Sequence, residues 1–121
     1  MITPTRTTAT LDRETTAVIG RVKIALQASF GERLEAVYLF GSRARGDHHS
    51  ESDVDLAVFL RDDGKSLGAQ DQDLIEATYP VELDLGIHLQ TWALPAGALQ
   101  ADRPSPRAKL VETVRRDGIR L

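Results

Sequence analysis

The sequence predicts an α/β domain, a small mixed β-sheet flanked by helices. Three observations carry this reading. Apolar residues recur at helical spacing near both ends and in the middle of the chain. Three short runs between them are apolar or strictly alternating, as strands are. The 121 residues suffice for one domain with a real but modest core.

Residues 1–10 are expected to form a flexible arm and 11–121 the domain. Leu11, Val18, Val22, Ala25, Leu26 and Phe30 share one helical face, so a helix is read from about 11 to 29. Thr10 or Asp12 can cap its start, and Gly31 ends it. Leu34 to Phe40 is the first strand, 41–52 a polar loop with a helical first part, and Asp53 to Leu60 the second strand. Residues 61–65 form a turn. Leu67, Leu74, Ile75 and Thr78 mark a short helix that stops before Pro80. Val81, Leu83, Leu85, Ile87 and Leu89 then alternate with Glu82, Asp84, Gly86 and His88, which predicts a third strand. Residues 91–104 look irregular. Ser105 as N-cap and Pro106 at the first helical position start a last helix that ends at Gly118. The order is α-β-β-α-β-α, with no repeat and no second domain.

Composition narrows the function classes. An apolar fraction of 41% and a charged fraction of 27% read as a soluble globular chain. The net charge of −3 gives no global signature for nucleic acid, and no direct binding to it is expected. The absence of cysteine excludes disulfides and thiolate metal sites and favours a cytoplasmic location. No apolar run approaches a membrane span. The Thr-rich N-terminus lacks the apolar stretch of a signal peptide.

Chemistry concentrates in residues 40–60. Phe40-Gly41-Ser42-Arg43-Ala44-Arg45-Gly46-Asp47 joins a strand to an arginine-rich turn, and Ser52-Asp53-Val54-Asp55-Leu56 opens the next strand. Residues at i and i+2 of a strand point to one face, so Asp53 and Asp55 project side by side. Two adjacent carboxylates in an apolar strand repel each other and cost desolvation. A hard divalent cation, Mg²⁺ or Mn²⁺, relieves both. A Gly-Ser turn beside such a pair suits a nucleoside triphosphate, whose phosphates the turn's N–H groups and hydroxyl can hold. On the alternating run, Asp84 is the candidate third carboxylate and Glu82 the fallback. With Asp53 and Asp55 it would complete a two-metal site for phosphoryl chemistry.

The Gly-Ser turn, the ten-residue spacer and the Asp-Val-Asp-Leu run resemble the nucleotidyltransferase superfamily that includes DNA polymerase beta, and within it the minimal nucleotidyltransferase branch. The resemblance spans roughly residues 11–120 and is specific only within 40–60. It implies the nucleotidyltransferase fold and transfer of a nucleoside monophosphate from ATP with release of pyrophosphate. It makes Asp53, Asp55 and Asp84 the catalytic and metal-binding set. It makes Gly41, Ser42, Arg43, Arg45 and Ser52 the nucleotide-binding set. It further implies a partner, a HEPN-domain RNase toxin whose tyrosine receives AMP, with this chain as antitoxin. A non-catalytic antitoxin that masks its partner is the alternative, and transfer to a small molecule or RNA is a third.

Other residues have simpler readings. His48 and His49 are expected to be loop residues rather than ligands. His88 is given no catalytic role. Trp92 reads as a core or lid residue. Arg107, Lys109, Arg115 and Arg116 read as the polar face of the last helix.

Overall fold

The computed structural model describes residues 11–61, 63–101 and 105–121. The expected arm, 1–10, lies outside the described residues. Helix α1, Arg13–Phe30, starts where Asp12 accepts the Thr15 N–H at 2.8 Å and stops at Gly31, whose φ is 52°. Val18, Val22, Leu26 and Phe30 form its buried stripe. Strand β1, Leu34–Phe40, runs antiparallel to β2, Val54–Leu60, with Phe40 opposite Asp55. A single helical turn, α2, Ser42–Arg45, sits between them.

Helix α3 spans Leu67–Leu85 and includes Pro80. This corrects the helix end before Pro80 and the strand over 81–89. Leu74, Thr78 and Val81 are buried at helical spacing, whereas Leu83 is 66% exposed. The burial follows a period near 3.6, not 2. Proline forfeits one N–H bond on this helix, and the packed stripe outweighs it. Gly86, with φ 69°, ends the helix.

The third strand therefore lies later. Strand β3, Leu89–Pro95, runs parallel to β2, pairing Val54 with Leu89 and Asp55 with Gln90. It occupies much of the segment expected to be irregular. Helix α4, Ala108–Asp117, begins after Arg107 rather than at Pro106, and Gly118 follows it as expected. Strand β4, Ile119–Arg120, had no counterpart in the sequence reading.

The sheet order is β3-β2-β1-β4. Val54, Leu56 and Val58 face a core shared with α1 and α3. Ala57 and Phe59 face a second core shared with Val111 and Val114 of α4. By alternation Asp55 points to the α4 side of the sheet. The free edge of β3 is covered by side chains. Glu82 accepts the Leu89 N–H, and Asp71 accepts the Ala93 N–H, each at 2.8 Å. Arg107 donates to the Ala93 carbonyl and forks onto Asp71.

Candidate active site

Gly41 leaves β1 with φ 77°, a conformation that L side chains rarely adopt. Its position leaves no room for a side chain. A Cβ there would lie 2.2 Å from Asp55 Oδ2. The Gly-Ser turn and the carboxylate are thus pressed together, as a phosphate-metal site requires. Gly41 and Ser42 offer their carbonyls to the following amides, Ala44 and Arg45 to one and Gly46 and Asp47 to the other. This winds the turn tightly and leaves Ser42 partly exposed.

Asp55 is half-buried, and its carboxyl is pushed above the ordinary range, first by burial and then by the charge of Asp53. The Arg45 and His88 side chains pull it the other way. Asp53 precedes β2 and shares the parity of Asp55. The two expected carboxylates are therefore together beside the turn, with Asp55 disfavoured as an anion.

Arg43, Ser52 and Arg45 serve different ends. Arg43 is 1% exposed, which corrects its expected place among the phosphate ligands. Its guanidinium donates to the Ser52 carbonyl at 3.0 Å, the Ser50 carbonyl at 3.3 Å and Thr15 Oγ1 at 2.9 Å. It also pairs with Glu14 at 3.1 Å. Arg43 thus ties α1 to the segment that delivers Asp53. Ser52 uses its hydroxyl to accept the His49 N–H at 3.0 Å, closing the loop. Arg45 stays on the site side, bonded to Asp47 at 3.1 Å and 3.6 Å from Asp117 at the end of α4. His48 contacts Asp12 at 2.5 Å and His49 accepts the Glu51 N–H, so both are loop residues here.

Asp84 is not brought to the pair. It lies on α3, across the sheet from Asp55, and bonds Arg21 of α1 at 2.7 Å. The strand that would have aimed it at the site is a helix. Glu82, the fallback, accepts the Leu89 N–H and contacts His88 Nδ1 at 3.1 Å. The parallel register instead sets Gln90 abreast of Asp55, and the His88 carbonyl accepts the Val54 N–H at 3.0 Å. Among the described residues, no group of three or more His, Cys, Asp or Glu side chains could hold a metal ion. The donor set fits one hard cation held by Asp53 and Asp55 and completed by triphosphate oxygens. The described residues do not supply the third carboxylate of a two-metal site.

The family model described as polymerase beta, nucleotidyltransferase matches residues 23–91, more than half of the chain. No curated protein sequence matches it. Among solved structures, a toxin-antitoxin crystallised with AMP-PNP aligns with a TM-score of 0.57 at 20% identity, covering 90% of this chain and 72% of that one. The toxin-antitoxin MntA-HepT aligns with a TM-score of 0.53 at 16% identity, covering 87% and 69%. The CdnE cyclic dinucleotide synthase of Elizabethkingia meningoseptica aligns with a TM-score of 0.54 at 23% identity, covering 74% and 40%. At these identities the likeness is one of fold.

Proposed function

The chain belongs to the polymerase beta nucleotidyltransferase family, and from that premise we propose that it transfers AMP from ATP to a hydroxyl of a partner toxin and so acts as an antitoxin. The observation that carries the reading is the apposition of Gly41 with Asp55, where even a methyl group would collide with the carboxylate. Such closeness serves a ligand that bridges backbone and metal. Asp53 and Asp55 would hold the divalent cation, Mg²⁺ or Mn²⁺, which supplies charge neutralisation for the triphosphate when bound. Gly41 and Ser42 would hold its phosphates, with Arg45 adding positive charge nearby. The acceptor hydroxyl is proposed to be a tyrosine of a HEPN-domain RNase. Toxin-antitoxin structures among the fold neighbours, one crystallised with AMP-PNP, support that partner class. AMP on such a tyrosine would add charge and bulk where RNA binds.

Among the described residues no third carboxylate joins Asp53 and Asp55, which favours a second reading, a nucleotide-bound antitoxin that masks its partner without transfer. One experiment separates the two. The chain is co-expressed with its toxin partner, incubated with ATP and Mg²⁺, and the partner is weighed intact. A gain of AMP that the Asp53→Asn, Asp55→Asn variant does not produce supports transfer. Neutralisation with no gain in mass supports masking.

A further inference from the structure

We propose, resting on the partner reading above, that the groove between α3 and the edge of β3 docks an extended, basic segment of the partner toxin. The groove is open, holds about 520 Å³, and is bordered by Asp71, Ile75, Tyr79 and Glu82 of α3 and by Thr91 and Trp92 of β3. Gly41, Ser42, Asp53 and Asp55 do not border it, so docking here is separate from the candidate nucleotide site and holds with or without transfer of AMP.

The strand edge is open at one residue. The His88 carbonyl accepts the Val54 N–H, and the Ala96 N–H donates to the Leu60 carbonyl, each at 3.0 Å. Even-numbered residues here turn their backbone to β2, and by alternation Leu89, Thr91 and Ala93 turn theirs outward. The N–H groups of Leu89 and Ala93 have side-chain acceptors. Thr91 differs: among the described residues no side chain bonds its backbone, and its buried Oγ1 has no partner. A buried hydroxyl left unpaired costs free energy that a ligand can recover. Thr91 is 8% exposed and borders the groove. An extended backbone laid along the groove brings what is missing there, a carbonyl for the N–H and an N–H for the carbonyl. Ile75 and Tyr79, one helical turn apart, and Trp92 are large and exposed, and they can anchor the segment's apolar side chains.

Charge selects the occupant. Helix α3 carries five carboxylates, Asp71, Asp73, Glu76, Glu82 and Asp84, and no lysine or arginine. Asp71, Asp73 and Asp84 are paired to Arg107, Lys65 and Arg21. Glu82 lies against His88, and Glu76, one turn from Tyr79, is exposed. A second copy meeting this edge would bring the same acidic helix against itself, and like charges oppose that pairing. A partner that cleaves RNA needs cations for the phosphates. A segment with lysine or arginine beside its apolar residues complements this face, and its cations are then covered against RNA.

The test uses the chain and its separately purified partner, with binding read by calorimetry. Ile75→Lys and Tyr79→Lys each remove an anchor and add the partner's own sign of charge. Each should weaken binding about tenfold or more. Their melting temperatures should stay close to that of the unchanged chain, since both positions are exposed. Binding by the unchanged chain should weaken as salt rises. Trp92 is the sole tryptophan, so ¹⁹F NMR of the chain labelled with 5-fluorotryptophan reads this face alone. Its resonance should shift when unlabelled partner is added. Undiminished binding by both Lys variants, or an unmoved Trp92 resonance, overturns the docking site while the partner reading stands. A resonance that moves with the chain's own concentration, without partner, makes the occupant a second copy and overturns the proposed one. No binding by the unchanged chain overturns the partner reading and this site with it.

Discussion

At Gly41 a missing side chain matters more than any present one. Gly41→Ala would place a methyl within 2.2 Å of Asp55 Oδ2 at a φ of 77°. Strain of this kind costs about 1–3 kcal/mol, and relief would come by moving the carboxylate out of place. The expected outcome is a lower melting temperature together with lost Mg-ATP binding by calorimetry. Asp55 has the opposite balance. Burial and the Asp53 charge raise its carboxyl pKa above the ordinary 3.8, so the folded chain binds that proton more tightly than the unfolded chain. The sign follows from linkage: this group favours the fold below the ordinary value, and its ionisation costs stability as pH rises through that value to the raised one. At neutral pH the cost is fully present. Asp55→Asn should therefore raise the melting temperature of the metal-free protein at pH 7 by a few degrees, with the gain shrinking in acid. It should also abolish the stabilisation that Mg-ATP gives. A destabilised Asp55→Asn variant at pH 7 would mean that the carboxylate contributes to the fold rather than straining it.

The loop between β1 and β2 owes its order to Arg43. A guanidinium 1% exposed is tolerated because two carbonyls, Thr15 and Glu14 receive its N–H groups. Arg43→Met keeps much of the volume and removes every donor. Hydrogen bonds to a charged group contribute about 1.5–3 kcal/mol each, so a loss on the order of 3 kcal/mol is expected in urea titration. Amide exchange should quicken over residues 48–53, and a variant as stable as the parent would show that the loop is held by other means. The sequence displays this arginine as one of two in a turn, without indicating that Arg43 turns inward and Arg45 outward. Strands β1 and β2 were legible because their apolar runs are short, unbroken and bounded by turn residues. The α3–β3 passage was misread because Val81 to Leu89 satisfies an alternating pattern by coincidence, while Pro80 looks like a stop. What decides for the helix is tertiary: Leu74, Thr78 and Val81 meet the core on one stripe. That shift moved Asp84 away from the site and brought His88 and Gln90 to it. The pairing of Gln90 with Asp55 depends on a register that only the sheet supplies.

Across the whole molecule, the two sheet edges are protected differently. β4 is two residues long, Ile119–Arg120, too brief to template another strand, and too brief after Gly118 to be seen in the sequence. β3 is seven residues long and would be a hazard if bare. The outward N–H groups of Leu89 and Ala93 and the Ala93 carbonyl are instead taken by side chains from α3 and by the residue before α4. Asp71 is central to this cover. It accepts the Ala93 N–H and holds both arms of the Arg107 fork at 2.8 and 2.7 Å, while that guanidinium lies 5.7 Å from the Trp92 ring. Arg107 keeps a φ of 61°, unusual for a residue with a side chain, and this grip on Asp71 and Ala93 helps hold it there. Asp71→Ala should free the Ala93 N–H, loosen Arg107 and uncover Trp92 at once. The expected result is concentration-dependent self-association through the β3 edge, seen as a rise in sedimentation-average mass relative to the unchanged chain. An added Ala93→Pro change should suppress it, since proline removes the donor without adding a charge. Identical sedimentation of Asp71→Ala and the unchanged chain over the same concentrations would show that the edge is protected by its shape and not by this carboxylate.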